Sequence, residues 1–291
     1  MEKAAAMNLK LLKLDNKMNQ MIRIELKRAF CNVRFLYSIL VGLLIAGSQI
    51  FTWVIPAMEK VDYYLLGKGE YPVSVFNTWI GASGHTYQLT LYFIILPVIS
   101  CLPFSDSCFI ERESGYQAHI LTRVNRNAYL FSKSIAVYLS GGCAVVLPLI
   151  VNLYVTMMAI PSVLPEASSR TFPIFEHSMW SGIFYTHPYV YLGGYFVIIF
   201  SYAGLFSLFG MISSFYVRNR FVSLVIPFIV YTLVNFVLGY TEYYKYSPEL
   251  FLRPDQPAGA VFSSIVMFYI FGLLICMILL VREGKKYDLY V

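Results

Sequence analysis

Histidine, cysteine and lysine most often supply metal ligands, nucleophiles or phosphate contacts, and none of them has a catalytic spacing in this sequence. The four histidines form no HExxH zinc-protease pattern; they are His85, His119, His177 and His187. No two of the five cysteines are spaced as CxxC, and none follows a zinc-site pattern. Lys68 and Lys285 follow glycines but lack the rest of a GxxxxGK[ST] phosphate loop. We therefore expect a chain that is not an enzyme by itself and binds no metal, cofactor or nucleotide.

The charged residues with the clearest pattern lie in one stretch, Phe104 to Ala128, between two apolar segments. The acidic residues Glu111 and Glu113 flank Arg112, and apolar residues follow at helical spacing. The apolar face consists of Tyr116, Ile120, Leu121 and Val124. A short amphipathic helix with acidic residues at its N-terminal side suits a groove on a cytosolic partner. A solvated loop helix held by local charge pairs is the alternative.

The composition of the chain is that of an all-α membrane protein. It is 58% hydrophobic and 13% charged, with a mean hydropathy of +0.63, whereas soluble domains carry about 25% charged residues. A bilayer crossing takes roughly 20 apolar residues, and the sequence contains six such stretches. They are residues 35–55, 87–104, 134–160, 189–217, 221–238 and 261–281. The sequence thus predicts a six-span domain over residues 35–291.

Residues 1–34 precede the first span and are basic, with apolar residues at helical spacing between the lysines and arginines. This pattern predicts an amphipathic helix that lies in the interface of the inner leaflet, near anionic head groups. A solvated basic tail is the alternative. Of the 22 lysines and arginines, 17 fall in the segments assigned inside and five in the loops assigned outside. Both termini are therefore predicted to be cytoplasmic.

Prolines and one lysine suggest where the spans end. Pro56 should end the first span, and Pro97 and Pro103 should kink the second or end it early. Pro148 should kink the third span, at whose start Lys133 could extend its amine to the interface.

None of the six spans contains a charged residue, which argues against an ion-coupled transporter. Uncharged polar residues within the spans could line a pathway, although such residues more often bond to their own or a neighbouring helix. The candidates are Gln49, Thr52, Asn152, Thr156, Thr232 and Asn235. An uncharged lining would suit an apolar or amphipathic cargo.

The segment ERESGYQAHILTRVNRNAYLFSKSIA, residues 111–136, resembles the segment after the second span in bacterial permeases of the ABC type-2 exporter family. In that family an E-[RK]-E-x-G-[TY] start leads into a cytoplasmic coupling helix between spans two and three. The six spans, the basic amphipathic start and the missing nucleotide-binding domain are also similar. Tyr116 stands where Thr is commoner in bacterial members, and Asn125 stands where a Pro or Ser often follows the helix. These two differences leave the substrate class and the subfamily open.

The resemblance implies an exporter subunit in the cytoplasmic membrane that works with separate ABC ATPase subunits, which bind the ATP and magnesium. It implies a second permease copy, identical or homologous, surrounding membrane lipids and no nucleic acid. The cargo would be a peptide such as an antimicrobial one, an antibiotic or a lipid. The implied ATPase-coupling residues are Glu111, Arg112, Glu113, Gly115, Tyr116, His119, Ile120 and Leu121. The alternatives are a non-transporting sensor or immunity protein that binds an amphipathic compound, and a membrane enzyme acting on lipids.

Overall fold

The computed structural model describes residues 18–65, 73–84, 86–166, 172–175 and 178–286. All regular secondary structure in these ranges is helical. Residues 1–17 of the predicted N-terminal amphipathic helix, His85 and His177 lie outside these ranges. In chain order the helices are α1 (18–30), α2 (Val33–Gln49), α3 (Ile55–Leu65), α4 (Val75–Thr78), α5 (Tyr87–Cys101), α6 (Ser107–Glu113), α7 (Tyr116–Leu121), α8 (Arg126–Ala159), α9 (Ser181–Thr186), α10 (Pro188–Ser213), α11 (Arg220–Gly239), α12 (Pro248–Leu252) and α13 (Phe262–Lys286).

Five of these helical segments are long and apolar enough to cross a membrane. They are Val33–Val61, Arg126–Ala159, Pro188–Ser213, Arg220–Gly239 and Phe262–Gly284. The predicted second span corresponds to α5, an apolar helix of 15 residues. At 1.5 Å per residue α5 is about 22 Å long, which is less than a hydrocarbon core of about 30 Å.

The first apolar helix does not end at Pro56, so that prediction was wrong. A π-helical turn, Ile50–Val54, joins α2 to α3, and the N–H of Ile55 bonds the carbonyl of Ile50. A proline in a regular helix clashes with the carbonyl four residues earlier. The wider π turn directly before Pro56 separates these groups, so the helix continues to Leu65.

The other span boundaries agree with the sequence to within a few residues, except at the start of α8. Helix α5 ends at Cys101, two residues before Pro103, as an early end of the second span predicted. Helix α8 begins at Arg126, eight residues before the predicted position, because the side chain of Asn125 caps it by accepting a hydrogen bond from the N–H of Asn127. With 34 residues it is about 51 Å long, so it extends beyond a single crossing.

Helix α8 is the centre of the packing, with α2, α5 and α10 against it. Small residues allow these helices to approach closely. A Cβ atom on Gly141 would lie 2.5 Å from the Cβ of Ser207 on α10 and 2.8 Å from the carbonyl oxygen of Ser100 on α5. Helices α11 and α13 lie at the periphery and expose most of their apolar side chains.

The predicted N-terminal amphipathic helix is present in part as α1. Met21, Glu25 and Ala29 lie one turn apart and are buried, while Ile24 and Phe30 on other faces are exposed. One face of α1 therefore packs against the protein itself, and that face includes a carboxylate.

We predict that Gly141→Ala lowers stability whereas Gly47→Ala does not. Overpacking at Gly141 should cost about 1–3 kcal/mol because the atoms around it include backbone. No atom lies within 4 Å of a Cβ placed on Gly47, so the matched change there should be neutral or add up to about 1 kcal/mol of helix propensity. The thermal unfolding midpoint of the detergent-solubilised chain measures both. Equal effects of the two substitutions would contradict the packing described.

Candidate functional site

Four charged side chains and one tyrosine form a largely buried cluster, the Glu111 cluster, at the end of the molecule where α1 and the start of α8 meet. Glu25 and Arg28 come from α1, Glu111 from α6, and Tyr129 and Lys133 from α8. The pairs on α1 and α8 are three and four residues apart, so each lies on one face of its helix. Glu111 is 2% exposed and Lys133 is fully buried.

Glu111 lies at the centre of this cluster. Its Oε1 lies 2.5 Å from Nη1 of Arg28, and its Oε2 pairs with Nζ of Lys133 and accepts a hydrogen bond from the Tyr129 hydroxyl. Nζ of Lys133 donates to the Tyr129 hydroxyl at 3.2 Å and lies 3.6 Å from Glu25. Nη1 of Arg28 also donates to Glu25 at 3.0 Å. Two carboxylates thus balance two cations.

This neutrality is what makes the burial possible, because an isolated buried charge costs several kcal/mol. Burial alone would raise the pKa of Glu111, but the charge and hydrogen bond of Lys133, with Tyr129 and Arg28, outweigh it and lower that pKa below its ordinary value of 4.5. Glu111 is therefore ionised at neutral pH. The prediction that Lys133 extends to the interface was wrong, because the two buried carboxylates hold its amine inside.

The predicted docking segment consists of two short helices, α6 and α7, with a bend between them. Gly115 has a φ of 73°, a conformation that glycine adopts without the strain a side chain would cause. Because of this bend, α6 points its Glu111 inward while α7 lies over the cluster. The one continuous helix suggested by the sequence is therefore not formed.

Helix α7 has a packed face and an exposed face. Ile120 and Leu121 are half-buried against Met21, Tyr129 and Leu130. Tyr116 is 40% exposed, with the Arg28 guanidinium 5.0 Å above its ring, and His119 is exposed. Arg28, a member of the Glu111 cluster, thus contacts Tyr116 on the exposed face of α7.

The remaining motif residues have different environments. Arg112 is exposed, and its Nη2 donates to the carbonyl of Ser214 at 3.0 Å, which joins α6 to the turn between α10 and α11. Glu113 is exposed. Sequence reasoning missed the roles of Glu25, Arg28 and Tyr129, although a carboxylate on the packed face of α1, between Met21 and Ala29, could have indicated a buried cation.

A second charge cluster, the Asp106 cluster, also went unnoticed in the sequence. Asp106 follows α5, is 1% exposed and pairs with Arg34 at the start of α2 and with Arg220 at the start of α11. Each of the three residues lies just outside a predicted span. The search for charges within the spans therefore did not find them.

The candidate pathway residues are dispersed, and three of them are buried and form hydrogen bonds within the protein. Asn152 donates to the carbonyl of Ala46 and to Gln49 at 2.8 and 3.0 Å, and Gln49 donates to the carbonyl of Thr78 at 2.8 Å. The hydroxyl of Thr156 donates to the carbonyl of Asn152. These side chains connect α2, α8 and the segment after α4.

The other three candidates lie at more exposed positions. Thr52 is exposed and accepts a hydrogen bond from Gln88 at 2.7 Å. Asn235 is half-buried and accepts hydrogen bonds from Ser247 and from the N–H of Glu249, whereas Thr232 is exposed on α11. A role of any of the six in a pathway stays a prediction.

Comparison of this chain with protein-family models, with curated proteins and with solved structures finds no match in any of the three.

We predict that Glu111→Gln lowers the free energy of unfolding by about 3–5 kcal/mol, because it leaves the buried amine of Lys133 and the half-buried Arg28 with one carboxylate instead of two. Glu113→Gln is the matched control, since it makes the same change two residues away at an exposed position. Its effect should stay within about 0.5 kcal/mol. The thermal unfolding midpoint in detergent distinguishes the two, and a Glu111→Gln variant as stable as the control would contradict the assigned role.

Proposed function

We propose that this chain is the membrane subunit of an ATP-driven exporter that works with separate ATPase subunits. The observation that carries the proposal is the position of Glu111. The first residue of the E-R-E-x-G motif joins α1, α6 and α8 through buried ion pairs, directly beneath the exposed face of α7. A helix that docks on an ATPase must be connected firmly to a membrane helix, and this cluster supplies such a connection.

In this proposal α7 is the coupling helix. ATP binding moves the partner subunits, and their movement displaces the exposed residues Tyr116 and His119. Because breaking a buried pair costs about 3–5 kcal/mol, the Glu111 cluster resists separation and transmits the displacement from α6 to Lys133 on α8. Helix α8 then moves against α2 and α10, which pack on it, and a cavity between the helices changes the side on which it opens.

The membrane topology in this proposal has six crossings with both termini in the cytoplasm. Helix α5 adds one crossing, the second in chain order, to the five long helices, and the turn at residues 102–106 extends it toward the headgroups. The excess of lysine and arginine in the segments at the Glu111 end supports a cytoplasmic location for that end. The chain acts as a dimer with an identical or homologous permease and exports an apolar or amphipathic compound across the cytoplasmic membrane.

The test is whether an ATPase binds through α7. The chain is co-expressed with a P-loop ATPase encoded in its gene neighbourhood, and the complex is purified and assayed for ATP hydrolysis. His119→Ala should weaken binding about fivefold or more, as loss of an interface side chain worth about 1 kcal/mol does. His187→Ala is the matched control, because His187 is also exposed but lies at the opposite end of the molecule, at the start of α10.

Two results would contradict the exporter proposal. One is strong ATPase activity of the purified chain without a partner. The other is an unchanged complex in the His119→Ala variant, together with full protection of cells against a toxic cargo by a Glu111→Ala, Glu113→Ala variant. Protection that does not need these carboxylates would favour a sensor or immunity protein.

A further inference from the structure

The Asp106 cluster lies where three helices meet at one end of the molecule. Asp106 follows α5, and α5 packs against both α2 and α11. Nη1 of Arg34, at the start of α2, lies 2.8 and 2.9 Å from the two carboxylate oxygens of Asp106. Nε of Arg220, the first residue of α11, bonds one of the same oxygens. The turn that follows α5 therefore holds one arginine from α2 and one from α11.

The cluster has an excess of positive charge. Two guanidinium groups share one carboxylate, which leaves a net charge of about +1. The carboxylate is buried, while the arginine side chains are 34% and 35% exposed. Bonding to Asp106 occupies one nitrogen of each arginine, Nη1 of Arg34 and Nε of Arg220, so the other guanidinium nitrogens can donate to a further group. The two arginines are also held in place, so little side-chain entropy is lost when an anion binds.

The backbone adds to this positive potential. Arg34 is the second residue of α2 and Arg220 the first residue of α11, helices of 17 and 20 residues, and each helix is capped by an asparagine side chain, Asn32 or Asn219. The N-terminus of a helix carries a partial positive charge. Asn32 also donates to the carbonyl of Pro103, which fixes the start of α2 beside the turn that holds Asp106.

An apolar surface starts at the same place. Along α5 and the residue that follows it, partly exposed apolar side chains recur every three or four residues, namely Leu91, Ile94, Val98 and Leu102. Leu36 on α2 and Phe221 on α11 expose apolar side chains next to the two arginines. The charged cluster thus lies at the end of an apolar stripe, where a lipid has its headgroup at the end of its acyl chains.

We propose that Arg34 and Arg220, held by Asp106, bind the phosphate of an anionic phospholipid whose acyl chain lies along the α5 stripe. Basic pockets between membrane helices recognise anionic headgroups in this way. The site requires only that α2 and α11 cross a bilayer, so it does not depend on the export function. A second copy of the chain could cover the stripe, but it would also have to bring an acidic group to the two arginines to neutralise their excess positive charge.

The experiment measures lipid-dependent stabilisation of the full chain in micelles. Dioleoyl-phosphatidylglycerol, dioleoyl-phosphatidylcholine and inorganic phosphate are each added at equal concentration, and thermal unfolding and lipid retention by native mass spectrometry are recorded. We expect phosphatidylglycerol to raise the unfolding midpoint and to be retained, and the other two to do neither. Arg220→Gln and Arg34→Gln should each weaken phosphatidylglycerol binding about fivefold, whereas Arg23→Gln, an exposed arginine on α1, should not change it.

Two further variants guard against simple misfolding. Arg220→Lys keeps the charge but loses the planar donor group, so it should weaken phosphatidylglycerol binding less than Arg220→Gln does. Asp106→Asn keeps an oxygen that can still accept a hydrogen bond from the arginines but removes the competing negative charge, so it should strengthen binding, which a variant that is merely destabilised would not do.

Several results would overturn the proposal. Equal stabilisation by phosphatidylcholine would remove the requirement for an anion, and equal stabilisation by inorganic phosphate would assign the arginines to a free anion. Unchanged phosphatidylglycerol binding in the glutamine variants would locate the lipid elsewhere. A change from dimer to monomer in these variants, measured by light scattering without any change in lipid retention, would make this face a subunit contact.

Discussion

The arrangement of the helices at one end of the molecule depends on the neutralisation of buried charges. Glu111 is held by Arg28 of α1 and Lys133 of α8, and the Lys133 amine could not be buried without carboxylates beside it. The same interaction fixes α6, and through the bend at Gly115 it fixes α7. An apolar cluster of equal volume could hold the helices as firmly, but it would not determine which helices meet. The pairing of charges makes that choice specific.

The opposite end of the molecule is held together by amide side chains, beside the buried ion pair of Arg253 and Asp255. Gln256 donates to the carbonyl of Met179 at 2.7 Å and accepts from its N–H at 2.8 Å, so it pairs with that backbone as a neighbouring strand would. In a similar way, Asn152 accepts a hydrogen bond from the N–H of Ile80, just after α4, and Gln49 donates to the carbonyl of Thr78, the last residue of α4. Loop backbone that enters the protein must have its polar groups satisfied. Asparagine and glutamine can do so because each carries both a donor and an acceptor.

The sequence predicted the apolar helices well and the contacts between polar residues poorly, for a physical reason. A crossing helix is determined by some 20 consecutive side chains, so its position can be derived locally, as the match of α11 to residues 221–238 illustrates. The Glu111 cluster joins residues 25, 111 and 133, and no local pattern encodes such distances. The wrong expectation for Lys133 followed from this limit, because an amine at a helix end extends to water unless distant carboxylates meet it.

Helix α8 connects the two kinds of contact. Near its start Lys133 is bound to carboxylates, and about five turns later Asn152 is bound to amide and backbone groups. Both side chains are fully or almost fully buried. Helix α8 therefore cannot slide or rotate without breaking the ion pairs of Lys133 or the hydrogen bonds of Asn152, or rearranging both. Its contact with α10 at Gly141 lies between them and has no spare volume. A displacement applied near Lys133 is therefore carried along the helix to the segment after α4, some 30 Å away, because a packed interior offers few intermediate arrangements.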